Sequence, residues 1–227
     1  MDVFICVVFE DTFFVFCFYN DNYDKSIVCA LDPYMSEGPY GYKDGGFDVT
    51  VKKGGVVIDA GAWIGDFSAY AAFKGAEVYA FEPVSTTYET LLETAEMNGG
   101  KIHPHKMGLG AKEGSFEISL NEINSGSNSL INNAGSKKET VKITTLDAFV
   151  KENAIKKIDF IKADIEGAER DMLRGAEYVL KNHAPKLAIC TYHLSDDPQV
   201  LENIILSINP NYKVVHLRKK LFAACAG

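Results

Sequence analysis

At 227 residues, with 47% apolar content and a net charge of −8 from 23 basic and 31 acidic side chains, the chain is long enough for one globular core with a small appendage. Its longest basic cluster is Arg218-Lys219-Lys220, so the electrostatic footprint of a nucleic-acid binder is missing and no nucleic-acid partner is expected. The five cysteines (Cys6, Cys17, Cys29, Cys190, Cys225) make no C-x-x-C pair, which suggests neither a zinc site nor a disulfide framework and fits a reducing, cytoplasmic setting.

Residues 3–9 and 12–19 are rich in Val, Ile and Phe around Glu10-Asp11, and predict a β-hairpin. These apolar runs are far shorter than the roughly 20 residues of a membrane span. Asp2, Glu10 and Asp11 stand where a signal peptide would carry basic residues, so neither a membrane partner nor a leader is expected. Residues 27–31 and 47–52 predict two more strands, with a glycine- and proline-containing loop over 32–46 between them. Residues 1–52 thus read as a β-rich extension to a domain over 53–227. The hairpin and the tyrosine-rich segment 34–42 are candidates for a lid or for a homodimer contact.

From residue 55 the pattern alternates. A strand over 55–60 leads to a helix over 65–74, closed by Gly75. A strand over 77–82 leads to a helix opening on Thr86-x-x-Glu89, which fits a capping box. Its Tyr88, Leu91, Leu92 and Ala95 form one apolar stripe. A third strand is expected over 101–108. Strands at 115–120 and 139–144 flank a polar loop over 121–135, where Ser127-Asn128-Ser129 either contacts ligand or is simply solvated. A strand over 157–163 ends at Asp164. One helix is expected after it, with Ala168, Met172, Leu173, Ala176, Val179 and Leu180 on its buried face. A strand over 186–192 ends at His193. Asp197-Pro198 reads as an N-cap with proline at the first helical position, and Leu201, Ile204, Ile205 and Ile208 supply the next stripe. Residues 212–217 and 221–225 predict a final strand pair. Strands and helices alternating at this spacing imply a largely parallel sheet covered on both faces.

Strand, glycine loop, helix, strand and acid is the order that holds a nucleoside cofactor, the acid accepting from ribose hydroxyls. Here that order is Val56 to Ala60, Gly61-Ala62-Trp63-Ile64-Gly65, a helix, then Val78 to Phe81 and Glu82. The loop lacks the middle glycine of G-x-G-x-x-G, and Trp63 is bulky where a pyrophosphate needs room. A nicotinamide oxidoreductase is therefore the rival reading, and S-adenosylmethionine, which carries no phosphate, the better fit. A catalytically silent binding domain is a second rival. Ligands in such sheets bind beyond the carboxyl ends of the strands, where Asp59, Glu82, Asp164 and His193 all fall. Glu82 is expected on the ribose. Asp59 either touches cofactor or ties down the loop. Asp164 and Glu166, two residues apart in extended chain, would point to one side. His193 is a base for an acceptor hydroxyl or a residue that orients it. Glu166 and Glu169 also suit a helix dipole. Asp164 and Glu166 are oxygen donors of the kind Mg²⁺ takes, but no metal is expected.

The motif Asp59-Ala-Gly-Ala-Trp-Ile-Gly65-Asp-Phe-Ser is similar to the first motif of Rossmann-like, class I S-adenosylmethionine-dependent methyltransferases. More narrowly, the chain resembles the FkbM family of methyltransferases. The resemblance runs over about residues 47–216, through Ala80-Phe-Glu82-Pro83, Thr145-Leu-Asp147, Ile158-Asp-Phe-Ile-Lys162-Ala-Asp164-Ile-Glu166-Gly167-Ala-Glu169 and Tyr192-His193. It implies a seven-stranded, mostly parallel sheet with helices on both faces, extended here by the hairpin. It also implies S-adenosylmethionine held by Asp59, Gly61, Ala62, Trp63, Gly65, Glu82, Pro83, Met107 and Gly108. Methyl transfer to a hydroxyl of a small molecule or sugar would follow, with His193, Asp164 and Glu166 as the catalytic set.

Overall fold

The computed structural model of the chain describes residues 3–9, 13–19, 40–120 and 137–225. Strands β1 (Val3–Phe9) and β2 (Phe13–Tyr19) pair antiparallel, Val3 opposite Tyr19, as the expected hairpin. The strand expected at 27–31, residues 32–39 of the loop after it, and the loop 121–135 with Ser127-Asn128-Ser129 lie outside the described residues. The end of the 32–46 loop is structured: β3 (Tyr42–Asp44) and β4 (Phe47–Val49) form a second hairpin. Gly45 turns it with a φ of 55°.

The alternating region builds the main sheet. In chain order it contains β5 (Val56–Ala60), α1 (Asp66–Phe73), β6 (Glu77–Phe81), α2 (Ser85–Met97) and β7 (Ile102–His105). Then come β8 (Gly108–Leu109), β9 (Gly114–Leu120), β10 (Lys137–Thr144), α3 (Leu146–Glu152) and β11 (Phe160–Ala163). The chain continues through α4 (Glu169–Arg174), α5 (Glu177–Asn182), β12 (Lys186–Cys190), α6 (Asp197–Ile208), β13 (Tyr212–Leu217) and β14 (Lys220–Cys225). Seven strands pair in the order β13-β14-β12-β11-β5-β6-β7. Those from β12 to β7 are parallel, and β14 runs against both its neighbours. This is the Rossmann-like architecture. From β5 the chain steps outward to β6 and β7, then returns to build β11 and β12 on the other flank, so the strand order reverses between β5 and β11. Such a reversal opens a crevice at the carboxyl ends of the strands.

Side-chain alternation sorts the core into two layers. Ile58, Ile161, Leu187 and Ala223 face Phe149, Met172, Leu173, Leu180, Leu201 and Ile205 of α3 to α6. Val57, Phe160, Ala188 and Phe222, their neighbours in sequence, face Phe67 and Ala71 of α1, Leu91 of α2, and Phe47 and Val49 of β4. Central strands covered on both faces are rich in apolar residues, as β5, β11 and β12 are, apart from the paired Asp59 of β5 and Lys162 of β11 and the Lys186 that opens β12.

Five local expectations are corrected. The strand predicted over 101–108 is two strands in two sheets: β7 belongs to the main sheet, while β8 joins β10 and β9 in a three-stranded one. The single helix predicted after Asp164 is broken at Gly175, where a Cβ would stand 2.0 Å from the Gly110 carbonyl oxygen. The two backbones come too close there for any side chain. Helix α2 starts at Ser85 with an extended Val84 as its cap residue, so the Thr86-x-x-Glu89 box does not cap it. Asp197 is the first residue of α6 rather than its cap, and β12 ends at Cys190, three residues before His193. Thr145 caps α3, its hydroxyl accepting from the Ala148 N–H at 3.0 Å.

Candidate active site

The loop after β5 is shaped by two glycines. Gly61 has φ 74° and Gly65 φ 91°. A Cβ on Gly61 would lie 1.9 Å from the Asp164 carbonyl oxygen, and one on Gly65 would lie 2.8 Å from Leu91 Cδ1. Neither position admits a side chain, and the first lets the ends of β5 and β11 close against each other. The amides of Gly61 and Ala62 donate to the Phe81 carbonyl, fixing the loop to the end of β6.

Glu82, just past β6, is buried and holds three donors. Its Oε1 accepts from the Val84 N–H at 2.9 Å and the Thr87 hydroxyl at 2.8 Å, and Oε2 accepts from the Trp63 N–H at 3.0 Å. Trp63 has φ 50°, an unusual conformation for a bulky residue, which aims its amide at the carboxylate. Burial pushes the Glu82 carboxyl up to about 7, against the pull of those donors and of Lys162.

Asp59 does not reach the cleft. It is fully buried, accepts from the Ser68 hydroxyl of α1 at 2.6 Å and pairs with Lys162 Nζ at 3.0 Å. The parallel register sets Asp59 directly beside Lys162, which makes the pair. Of the two roles open to Asp59, tying down the loop is the one the geometry matches: Lys162 Nζ also donates to the Gly61 carbonyl at 2.6 Å. Burial alone would strip the Lys162 ammonium of its proton; Asp59, Asp164 and Asp66 together hold the proton on more firmly than usual. The Tyr40 ring lies 5.3 Å from Lys162 Nζ and 4.3 Å from Lys220 Nζ, and its hydroxyl donates to Asp164 Oδ2 at 2.7 Å. Tyr192 donates to Asp164 Oδ1 at 3.0 Å. Burial would raise the Asp164 carboxyl, but Lys162, the two hydroxyls and His193 outweigh it and keep it below the usual carboxylate range.

Past Asp164 the chain leaves the extended form, with φ 54° at Glu166 and 100° at Gly167. The carboxylates of Asp164 and Glu166 nonetheless both approach His193, Nε2 lying 3.5 Å from Asp164 Oδ1 and 3.6 Å from Glu166 Oε2. On the other edge of the ring, Nδ1 lies 3.1 Å from Glu169 Oε1, in ion-pair contact but off the line of an aligned hydrogen bond. Glu169 is fully buried, and the same oxygen accepts from the Ile165 N–H at 2.9 Å. Burial would lower the His193 ring, but Glu169, Asp164 and Glu166 raise it to about 9.

These elements frame one cleft. Its lining brings Gly61, Trp63, Glu82, Pro83, Gly108 and Leu109 together with Asp164, Ile165, Glu166 and Ala168. Counted out to its open mouth, with the solvent space that this includes, it spans about 670 Å³. Gly65 and Ala62 are buried behind the loop. Met107, expected in the site, instead lines a neighbouring hollow with His105 and Phe149. Residues not singled out from the sequence complete the arrangement. Ile118, Val141 and Ile143 of the small sheet form an apolar wall with Val84. Their alternation in β9 and β10 was the available signal. Lys162, Tyr192 and Glu169, which the sequence showed only within motifs, and Tyr40 of the tyrosine-rich segment have partners here: the first two and Tyr40 hold Asp59 or Asp164, and Glu169 lies against His193.

Comparison with known proteins follows the same outline. The model of the methyltransferase FkbM domain matches residues 59–222. The hexuronic acid methyltransferase AglP of Haloferax volcanii is 25% identical over 164 residues, covering 72% of this chain and 66% of that protein. Methyltransferase 1 of Beauveria bassiana is 29% identical, covering 53% of this chain and 58% of its own. The crystal structure of methyltransferase FkbM from Methylobacillus flagellatus KT aligns with a TM-score of 0.62 at 26% identity, over 83% of this chain and 48% of that one. The chain thus spans about half to two thirds of the length of these relatives. Among the described residues no helix is long and apolar enough to cross a membrane. With the family model covering residues 59–222, well over half of the sequence, the chain belongs to the FkbM methyltransferase family.

Proposed function

We propose that the chain is an S-adenosylmethionine-dependent O-methyltransferase whose acceptor is a hydroxyl of a sugar, with a uronic acid as the first candidate. The observation that carries this reading is that one cleft is lined both by Glu82 with the glycine loop and by Asp164 with Glu166. The residues of the first set suit a nucleoside without phosphates. Glu82 has three of about four acceptor positions filled, leaving capacity for a ribose hydroxyl. Bound there, S-adenosylmethionine supplies a methyl group whose carbon bonds to the acceptor oxygen as its bond to sulfur breaks, the electron pair staying on sulfur. Trp63, Pro83 and the wall of Ile118, Val141 and Ile143 exclude water along the apolar side. Asp164 and Glu166 hold the acceptor hydroxyl and draw its proton away. The chain's contribution is chiefly positioning, which can supply several kcal/mol of the barrier, about 7 or more in well-aligned cases.

The uronic acid rests on the hexuronic acid methyltransferase relative. The test is transfer of a radiolabelled methyl group to glucuronide, galacturonide and neutral glycosides. Alkali-stable label on the uronides is expected, since a methyl ether survives mild base. Label released by base would mean a methyl ester and a carboxylate acceptor, and label on none of the sugars would remove them as substrates.

A further inference from the structure

Resting on that reading of the cleft, we propose that Asp164, Glu166 and His193 bind a divalent cation of the Mn²⁺ type, which chelates the acceptor through a hydroxyl and an adjacent oxygen. Three observations on the geometry lead there. First, His193 Nε2 lies 3.5 and 3.6 Å from an oxygen of each carboxylate, too far for good hydrogen bonds. Ligand atoms held about 2.1 Å from one cation stand about 3–3.5 Å from one another; the two spacings to Nε2 lie at or just beyond the top of that range, and the three ligand atoms all lie within 4.8 Å of one another. Second, the His193 side chain is only 8% exposed, yet neither ring nitrogen has an aligned hydrogen-bond partner. Its Nε2 is the ring nitrogen that lies near both carboxylates. Third, Glu169 sits against the opposite ring nitrogen. A buried carboxylate behind the distal nitrogen is the support that ligating histidines commonly have, because it sets the ring's orientation and frees the other nitrogen for the metal.

The opposite edge of the ring is the weaker candidate. Glu169, His193 and Asp197 also converge, but Asp197 already holds Arg170 at 2.7 Å and the Leu194 N–H at 2.8 Å. Asp164 keeps ligating capacity: its Oδ1 accepts one bond, from Tyr192, and a carboxylate oxygen has a second lone pair. One imidazole and two carboxylates are a mixed set that suits Mn²⁺ better than the all-oxygen preference of Mg²⁺ or the sulfur and nitrogen preference of Zn²⁺. Asp164 and Glu166 line the cleft, so the positions left open on the cation face the acceptor end. A hydroxyl beside a carboxylate, as in a uronic acid, would fill two of them. The cation would orient that hydroxyl and make its proton easier to lose.

The experiment is a titration of MnCl₂ into the full chain, followed by the electron paramagnetic resonance signal of free Mn²⁺, without cofactor or sugar. One site per chain is expected. Glu166→Gln and His193→Ala should each weaken it by more than about tenfold, and Glu169→Gln by about 10- to 100-fold. Glu202→Gln, in an exposed pair with His216 on α6, should leave it unchanged. Circular dichroism checks that each variant is folded; if one is not, Asp164→Asn takes its place. Mn²⁺ remaining free in the millimolar range with folded wild type would overturn the proposal, as would equal binding by wild type and the folded variants. Calorimetry with S-adenosylhomocysteine separates the two readings. Cofactor binding without Mn²⁺ binding refutes the cation site alone, and Mn²⁺ binding without cofactor binding refutes the methyltransferase reading of the cleft.

Discussion

At the scale of single residues, Glu82 carries the most. Its environment gives cofactor binding a pH dependence of definite sign. In the free protein the carboxyl sits up at about 7. On the proposed reading ribose hydroxyls donate to the ionised form, so binding would pull that value down and the ligand would prefer the deprotonated protein. The dissociation constant for S-adenosylhomocysteine should therefore be flat above about pH 7.5 and weaken by roughly tenfold per unit below about 7. Glu82→Gln should weaken binding by about tenfold at pH 8 and remove the slope. Calorimetry from pH 5.5 to 8.5 checks both; a constant affinity across that range would mean that Glu82 does not meet the ribose. Glu82 was legible in the sequence because an acid closing the second strand has a specific use. Asp59 was not, because the sequence does not say which face of β5 it takes. The structure turns it toward Ser68 and Lys162, and that choice depends on a register with a strand about 100 residues away.

At the scale of elements, the Asp59–Lys162 pair joins β5 to β11 beneath the glycine loop. Both side chains are almost wholly buried, with exposures of 0% and 4%. Removing one partner of such a pair leaves an uncompensated charge and costs about 3–5 kcal/mol, while removing both in favour of apolar side chains is often close to neutral. Lys162→Met should lower stability by about that amount, and Lys162→Met with Asp59→Leu should recover most of it, read by urea unfolding. A change below about 1 kcal/mol in the single variant would show that the pair does not hold the loop. The limits of sequence reading at this scale have two physical causes. The apolar stripe from Ala168 to Leu180 keeps helical period across Gly175, so periodicity alone predicts one helix. The break comes from a carbonyl at Gly110, contributed by a different part of the chain. Likewise residues 102–109 are uniformly compatible with strand, and only the presence of β10 draws β8 out of the main sheet. The glycine loop, the α3 cap at Thr145 and the alternation of strands and helices were legible because their causes are local.

At the scale of the whole molecule, parallel strands bring residues remote in sequence to one rim. Ala60, Phe81 and Ala163 are register partners, so Gly61, Glu82 and Asp164, which follow them, emerge side by side. Strand order reverses between β5 and β11, and the cleft opens there because neighbouring connections leave on opposite faces. That much follows from the alternating pattern. The apolar wall across the cleft comes from the small sheet, which the sequence showed only as two isolated strands. The account as a whole depends on the cleft binding a phosphate-free nucleoside. Isothermal titration calorimetry of the full chain with S-adenosylhomocysteine and, separately, NADH tests it most directly. One site of micromolar affinity for S-adenosylhomocysteine and no heat with NADH is the predicted result. A folded protein that gives no heat with S-adenosylhomocysteine up to millimolar concentration, or that binds NADH instead, would contradict it.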